Sequence, residues 1–569
     1  MNRPFPDPPS TLPEAIERAA KHFPERGISI FDSRGRSHER RTYKEVLAAA
    51  RQSAGRWIAL GVHPGDRILV SVPTSWAWLE AWLGALFCGA LPVAVAPGAA
   101  MGASAAQIRK VEALVERLKP RHAVVTDGFR RASVNAAPRT QAVALTSEEL
   151  ATQAPDSFVA PPSSPEAIAF LQFTSGSTGL PRAVAIPHRA AIHNVIGSDE
   201  AIGAPHGAPA HQWADTMVSW LPLHHDMGLV GSLFQSIYGG LDLWLLPPGA
   251  FLARPGKWLE HLGQHGVAFA PSPNFGYQLC VERLTPAARD GLDLSSWRDA
   301  MTGAEMVRPE TVEAFCDAFV PYGFDPQAFR PCYGMAEGTL AVTFDLKGQG
   351  VRTRPLPAGA DPAATGSGLN EVVCVGEPIR ATEVRIVAPN GEPLLEGEVG
   401  EIRVRGPSVF VGYYNDDQAT AESLQDGWLA TGDLGFLYAG ELYITGRLKD
   451  ILIVRGTNLM PHEIEWLAES VTGGGGALRT GAFSVACGAA GEEPVVVVEV
   501  NDRDPEKLAR LEQAIRSKIG RTLALPVADL VFVRRGKIPK TTSGKVQRRA
   551  LREQYLQGEI ERLATTDIS

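Results

Sequence analysis

Hydrophobic and polar positions follow two periods along the first part of the chain. Apolar residues recur at helical spacing over Leu12 to His22, Tyr43 to Leu60, Ser75 to Cys88 and Ala105 to Leu118. Between them lie short apolar runs, Arg67 to Val72, Pro92 to Ala96 and His122 to Thr126, which read as strands. Such alternation predicts α/β layers with parallel strands. Further strand-like runs at Met217 to Leu221, Leu241 to Leu246 and Val267 to Ala270 extend the same architecture. From Val372 to Gly412 the pattern turns β-rich, with Glu383 to Val387 and Gly400 to Val404, and predicts a smaller β subdomain. Beyond the charged pair Lys449-Asp450, strand patterns at Ile451 to Val454, Phe483 to Ala486, Pro494 to Val500 and Leu530 to Val533 surround a helix from Pro505 to Leu523. That is a compact α+β unit of roughly 120 residues, a natural domain size. The expected class is α/β: a large N-terminal domain, residues 1–448, of layered α/β subdomains plus the β-rich one, and a small α+β C-terminal domain, residues 449–569.

Composition excludes more than it identifies. At 569 residues the chain is long enough for roughly two to four structural units at about 150 residues each. Hydrophobic residues make up 44% and charged residues 21%, as in ordinary globular proteins. A formal charge of -8 argues against nucleic acid as a partner, since such proteins carry a basic domain or stripe. No stretch approaches the ~18 apolar residues of a membrane span, and Met1 to Pro13 lacks a signal-peptide core, so a cytoplasmic protein without an integral membrane segment is expected. The six cysteines, Cys88, Cys280, Cys316, Cys332, Cys374 and Cys487, show neither Cys-x-x-Cys nor zinc-type spacing and read as small buried hydrophobes.

Two segments carry chemistry. Thr174-Ser-Gly-Ser-Thr-Gly-Leu-Pro-Arg182 lies between strand patterns at Ala167 to Phe173 and Ala183 to Pro187. Glycines allow successive N–H groups to converge on an anion, and hydroxyls add donors for phosphate oxygens. A Walker loop would end in Gly-Lys-Ser/Thr and open a helix, so a hairpin-like phosphate clamp is expected instead. Far downstream, Pro539-Lys-Thr-Thr-Ser-Gly-Lys545 could bring a cation to the same phosphates. Taken singly, the plain alternative for either stretch is an ordinary surface loop.

Further motifs follow in order: Ser219-Trp-Leu-Pro-Leu-His-His-Asp-Met-Gly-Leu229, Thr302-Gly-Ala-Glu305, Tyr333-Gly-Met-Ala-Glu337, Thr431-Gly-Asp433 and Gly446-Arg-Leu-Lys-Asp450. With the two loops, this series resembles the adenylate-forming superfamily of acyl-CoA synthetases, fatty acyl-AMP ligases and peptide-synthetase adenylation domains. The resemblance implies a nucleotide site made of Thr174, Ser175, Gly176, Ser177, Thr178, Gly179, Gly303, Ala304, Glu305, Tyr333, Gly334, Met335, Ala336, Asp433 and Arg447. Tyr333 would face adenine, Asp433 would accept the ribose hydroxyls, and Arg447 would reinforce the ribose and phosphate side. Glu337 would bind Mg²⁺ beside ATP, His225 would lie near the acyl carboxylate, and Lys545 would meet the α-phosphate. Out of this context Tyr333 reads as core, Glu337 as a solvated charge and Asp433 as a turn residue.

Within that superfamily, Leu171-Gln-Phe-Thr174, the Trp220 motif and Ala270-Pro-Ser-Pro-Asn-Phe-Gly-Tyr277 look most like fatty acyl-AMP ligases. The connection across residues 338–375 resembles the insertion of that branch. It implies transfer of the acyl group to the phosphopantetheine thiol of an acyl carrier protein, with CoA as the alternative acceptor and a catalytically silent nucleotide-binding homologue as a further one. Lys449 and Asp450 resemble the hinge about which a mobile C-terminal domain rotates. Leu229, Phe275, Gly276 and Tyr277 are candidate walls of the acyl pocket, with Gly276 leaving room for methylenes. A basic run from Arg534 through Lys537, Lys540 and Arg548 to Arg552 reads either as a docking face for an acidic carrier or as a solvated face.

Overall fold

The computed structural model describes residues 7–97, 105–134, 143–161, 163–174, 182–203, 207–208, 212, 214–357, 371–454, 457–472, 480–486, 492–523, 525–540 and 545–563. The helices expected from periodicity form at Leu12–His22, Tyr43–Ala59, Trp76–Phe87 and Ala105–Leu118. Local chemistry sets their starts. Thr42 accepts from the Glu45 N–H while the Glu45 carboxylate accepts from the Thr42 N–H, a reciprocal cap that satisfies two otherwise orphaned donors.

Two large sheets make up the main body. In the nine-stranded one, Gly27–Phe31, Asp242–Leu245, Thr216–Ser219, Phe269–Pro273, Asp299–Gly303 and Phe329–Gly334 run parallel, with antiparallel strands at both edges. The seven-stranded sheet holds Arg67–Ser71 between Leu91–Ala94 and His122–Val125, parallel to both. One apolar cluster joins Val70 and Phe170 of this sheet to Met217 and Leu243 of the other, with Trp57, Trp82 and Ile196 of the intervening helices. The edge strand His38–Thr42 escapes sequence reading because His-Glu-Arg-Arg-Thr has no apolar alternation; its charges suit an exposed edge.

The β-rich portion is a five-stranded sheet that includes Glu383–Val387, Gly400–Arg405, Trp428–Tyr438 and Glu441–Arg447. After it, Thr480–Ala486, Glu492–Val500 and Asp529–Arg534 form a small sheet packed with helices Pro461–Val471, Pro505–Leu523 and Arg548–Leu556. The two apolar clusters there draw only on residues from Leu452 onward, so this part holds its own core. Within the segment read as an insertion, Thr353–Pro355 pairs with Glu371–Val373, and Arg352 anchors it through Asp345 at 3.0 Å and Glu441 at 2.7 Å. Among the described residues, no helix is long and apolar enough to cross a membrane.

Candidate active site

The site forms where parallel strands of the nine-stranded sheet reach their carboxyl ends, the edge at which open α/β sheets take ligands. Strand Asp299–Gly303 delivers Gly303, Ala304 and Glu305; Phe329–Gly334 delivers Tyr333 and Gly334; Thr216–Ser219 leads into His224, His225 and Asp226. The backbone is drawn tight here. A Cβ on Gly303 would lie 2.7 Å from the Cys332 carbonyl oxygen, and Ala304 adopts φ +67°, a left-handed conformation that side chains rarely take.

Asp433 is buried and held from three sides. The Tyr333 hydroxyl donates to it at 2.6 Å, Arg447 Nε donates at 2.6 Å, and its own N–H donates to Thr431 Oγ1 at 3.0 Å. Antiparallel pairing of Trp428–Tyr438 with Glu441–Arg447 sets Asp433 directly opposite Arg447. Each carboxylate oxygen offers two lone pairs, so Asp433 retains acceptor capacity for hydroxyls. Nearby, Glu305 accepts from the Phe275 N–H at 2.7 Å, and burial pushes its carboxyl up.

On the phosphate side, strands Ile168–Phe173 and Ala183–Pro187 pair antiparallel, and the Thr174 N–H donates to the Arg182 carbonyl at 3.1 Å. This is the expected hairpin, with no helix after the loop. Ser175, Gly176, Ser177, Thr178 and Gly179 lie outside the described residues, as do Thr541 to Gly544. Arg182 stacks 5.1 Å over the Tyr413 ring, whose hydroxyl donates to Glu337 at 2.8 Å. Burial pushes the Glu337 carboxyl up, because its charge is poorly solvated. Among the described residues no three His, Cys, Asp or Glu side chains gather as a metal cage. A lone desolvated carboxylate does fit Mg²⁺, which takes one carboxylate together with phosphate oxygens and water.

Lys545 borders two cavities at once. The first, of about 390 Å³, is bordered by Thr174, Arg182, Glu337, Met227, Gly231 and Phe344; the second, of about 810 Å³, opens between the main body and the C-terminal part. Desolvation in the cleft and then the Arg447 charge hold the Lys545 ammonium below the usual lysine range, against Asp226, Glu305 and Asp433. His225 Nδ1 lies 3.2 Å from Asp226. Burial opposes ionisation of Asp226, yet the His225 hydrogen bond and charge, the Met227 N–H and Lys545 together hold its carboxyl below the usual range. Gln172 donates to the His224 carbonyl at 2.7 Å and ties this turn to the strand before the phosphate loop.

The expected acyl wall needs correction. Leu229 and Tyr277 are fully buried in separate apolar clusters, the Tyr277 hydroxyl donating to the Met301 carbonyl at 2.9 Å. Gly276 leaves no channel, since a Cβ there would fall 2.2 Å from Ser272 Oγ and 2.8 Å from Trp220. Phe275 borders the larger cavity between the two parts. The 390 Å³ cavity is lined instead by Met227, Gly231 and Gln235, from a helical segment whose Leu229–Phe234 stretch is a π-helix, against Ile202, Leu340 and Phe344. Apolar type alone could not distinguish wall from core. Tyr413 was likewise missed as a member of the site, since it matters through Glu337, a partner distant in sequence. Cys332 also borders the site, but burial pushes its thiol up to about 12. The basic run is largely paired internally: Lys537 with Glu561, Lys540 with Glu499, Arg548 with Asp450 and Glu465, and Arg549 with Glu553. Asp450, read as a hinge residue, thus contacts the last helix at 3.1 Å.

Two cavities at the strand ends, both bordered by Tyr333, Arg447 and Lys545, agree with the family match. Residues 16–414 match the AMP-binding enzyme family, and the chain belongs to it. Across nearly its whole length the chain is similar to fatty acyl-AMP ligases. It is 35% identical to the long-chain-fatty-acid–AMP ligase FadD26 of Mycobacterium marinum, over 92% of this chain and 93% of that one. It is 33% identical to the medium-chain-fatty-acid–[acyl-carrier-protein] ligase JamA of Moorena producens, over 91% and 90%. A Caulobacter vibrioides protein named provisionally as an acyl-CoA synthetase is 33% identical over 96% of both chains. Among solved structures, one from a study of fatty acyl-adenylate ligases from E. coli and L. pneumophila superposes with a TM-score of 0.87, at 30% identity, covering 98% of this chain and 99% of that one.

Proposed function

We propose that this protein activates a fatty acid with ATP to acyl-AMP and pyrophosphate and then passes the acyl group to the phosphopantetheine thiol of an acyl carrier protein. The observation that carries the reading is the position of Lys545, which borders both cavities together with Tyr333 and Arg447 and feels the charges of Asp226, Glu305 and Asp433. An acid lying in the 390 Å³ cavity presents its carboxylate beside Lys545. A carboxylate oxygen attacks the α-phosphorus, the bond to the bridging oxygen breaks, and pyrophosphate leaves with the electron pair. No protein nucleophile takes part, so rate depends on alignment and on matching displaced charge. The ammonium of Lys545 offsets charge that moves onto the α-phosphate in the transition state. Tyr333, Asp433 and Arg447 hold the nucleoside side, Arg182 and the strand-flanked loop hold the polyphosphate, and His225, oriented by Asp226, lies towards the carboxylate. Glu337 would hold Mg²⁺, which supplies charge neutralisation on the phosphates when bound.

In the second half-reaction the thiol attacks the acyl carbonyl, loses its proton, and AMP departs with the electron pair of the anhydride bond. We assign residues 1–448 to the adenylating body and 449–569 to a lid that turns about Lys449 and Asp450 between the two steps. The anchored strand pair Thr353–Pro355 and Glu371–Val373, whose Val373 borders the cavity between the parts, and the likeness to JamA support a carrier thiol over CoA. The test is a panel of fatty acids with ATP and either holo carrier protein or CoA. Acid-dependent pyrophosphate exchange with acyl transfer to the carrier is expected. Transfer to CoA at equal rate would overturn the choice of acceptor, and absence of exchange with every acid would overturn the activity itself.

A further inference from the structure

Glu337 sits in the single turn Ala336–Gly338, and the residue after that turn is strained. Thr339 adopts φ +69°, a left-handed conformation that is an outlier for a β-branched side chain and that persists only where the surroundings hold it. The hold comes from residues 408–414. Thr339 Oγ1 donates to the Ser408 carbonyl at 2.6 Å, and the Phe410 N–H donates to the Glu337 carbonyl at 2.9 Å. The same short run is bonded to the strand that leaves the phosphate loop. The Val411 N–H donates to the Ala185 carbonyl at 3.1 Å, the Tyr414 N–H donates to the Ala183 carbonyl at 2.8 Å, and Tyr413 lies opposite Val184. From that seat the Tyr413 hydroxyl donates to Glu337 Oε1 at 2.8 Å, while its ring packs edge to face with Phe410 and carries the Arg182 guanidinium. One side chain thus touches both the carboxylate proposed for Mg²⁺ and the arginine proposed for the polyphosphate.

We propose that Tyr413 is a positioning residue for the divalent cation: bonded to one oxygen of Glu337 and seated on the phosphate hairpin, it fixes where the carboxylate meets a cation carried by ATP. The proposal rests on the assignment of Glu337 to Mg²⁺ made above. The terminal torsion of a glutamate is broad, so an unbraced carboxylate would meet a cation in many orientations. A bond to Oε1 removes that freedom, and the remaining lone pairs still accept a metal bond. Mg²⁺ demands near-ideal octahedral geometry, whereas Ca²⁺ tolerates irregular sites, so orientation counts more for the smaller ion. Partners that hold a ligating carboxylate are worth about 10- to 100-fold in metal affinity or activity.

The experiment measures calorimetric binding, without turnover, of α,β-methylene-ATP, whose bridging carbon blocks release of pyrophosphate, in Mg²⁺, in Ca²⁺ and in EDTA. For the wild-type protein Mg²⁺ should tighten binding. Tyr413→Phe keeps the ring against Phe410 and Arg182 and deletes only the hydroxyl. Its affinity in Mg²⁺ should fall about 10- to 100-fold, its affinity in Ca²⁺ should fall less, and its affinity in EDTA should be unchanged. Equal loss in Mg²⁺ and EDTA, the mark of a merely structural role, overturns the proposal while leaving adenylation intact. So does equal loss in Mg²⁺ and Ca²⁺, or no loss at all. A wild-type protein whose affinity Mg²⁺ does not raise would instead overturn the assignment of Glu337, and the proposal with it.

Discussion

One contact between the C-terminal part and the main body is an ion pair that is nearly dry. Arg308 Nη1 lies 2.7 Å from Glu469, with side chains 8% and 4% exposed, and the guanidinium stacks 4.6 Å over the Trp466 ring. Glu469 also accepts from the Thr480 N–H at 3.2 Å, so it is fixed within its own part and waits for the arginine. Arg308→Met preserves most of the stem and deletes the charge. Removing one member of a buried pair costs about 3–5 kcal/mol, because the remaining charge stays desolvated and loses its arginine partner. Burial this deep leaves little solvent screening to discount. The cost falls on closure of the two parts and not on folding, since each has its own core. At 1.4 kcal/mol per factor of ten, the lower bound of that cost lowers the closed population by up to about 100-fold. ATP–pyrophosphate exchange should fall accordingly, while transfer from preformed acyl-AMP to a carrier thiol falls far less. Equal loss of both half-reactions would refute the reasoning.

Two further outcomes test the site. Gly231→Ile places a Cβ 2.9 Å from Leu340 Cδ2 on the wall of the 390 Å³ cavity. Overpacking of about 1–3 kcal/mol should lower kcat/KM for long acids roughly 10- to 100-fold and spare short ones; an unchanged length preference across an acid panel would remove Gly231 from the wall. Lys545, desolvated in the cleft, loses its proton below the ordinary lysine value of 10.5, so the alkaline limb of kcat/KM should fall below that value. The sign for stability is opposite: between the lowered and ordinary pKa the unfolded chain binds the proton more readily, so unfolding free energy rises with pH while activity declines. In kcat the limb should move up, because bound phosphate favours the charged form, and a coincident limb in both profiles would detach Lys545 from the phosphates.

Much of the architecture was legible because buried strands and amphipathic helices write their periods into the chain. Tyr43–Ala59 and Trp76–Phe87 stand within a residue of the expected spans, and the strands flanking the phosphate loop form the expected hairpin. The acyl wall was not legible. Leu229 and Tyr277 have the composition of a pocket, but pocket and core are made of the same residue types, and only packing distinguishes them.

What the sequence determined alone is the family and the candidate nucleotide residues, because these are short motifs whose spacing is carried by local turns and strand ends. The tertiary structure alone decided that Tyr333 and Arg447 meet on Asp433, that Tyr413 bonds to Glu337, and that Lys545 borders both cavities. Those contacts join residues up to hundreds of positions apart. Hydrogen bonds and charge act through space over a few ångströms, so their partners are chosen by how sheets and lobes pack and leave no periodic trace along the chain.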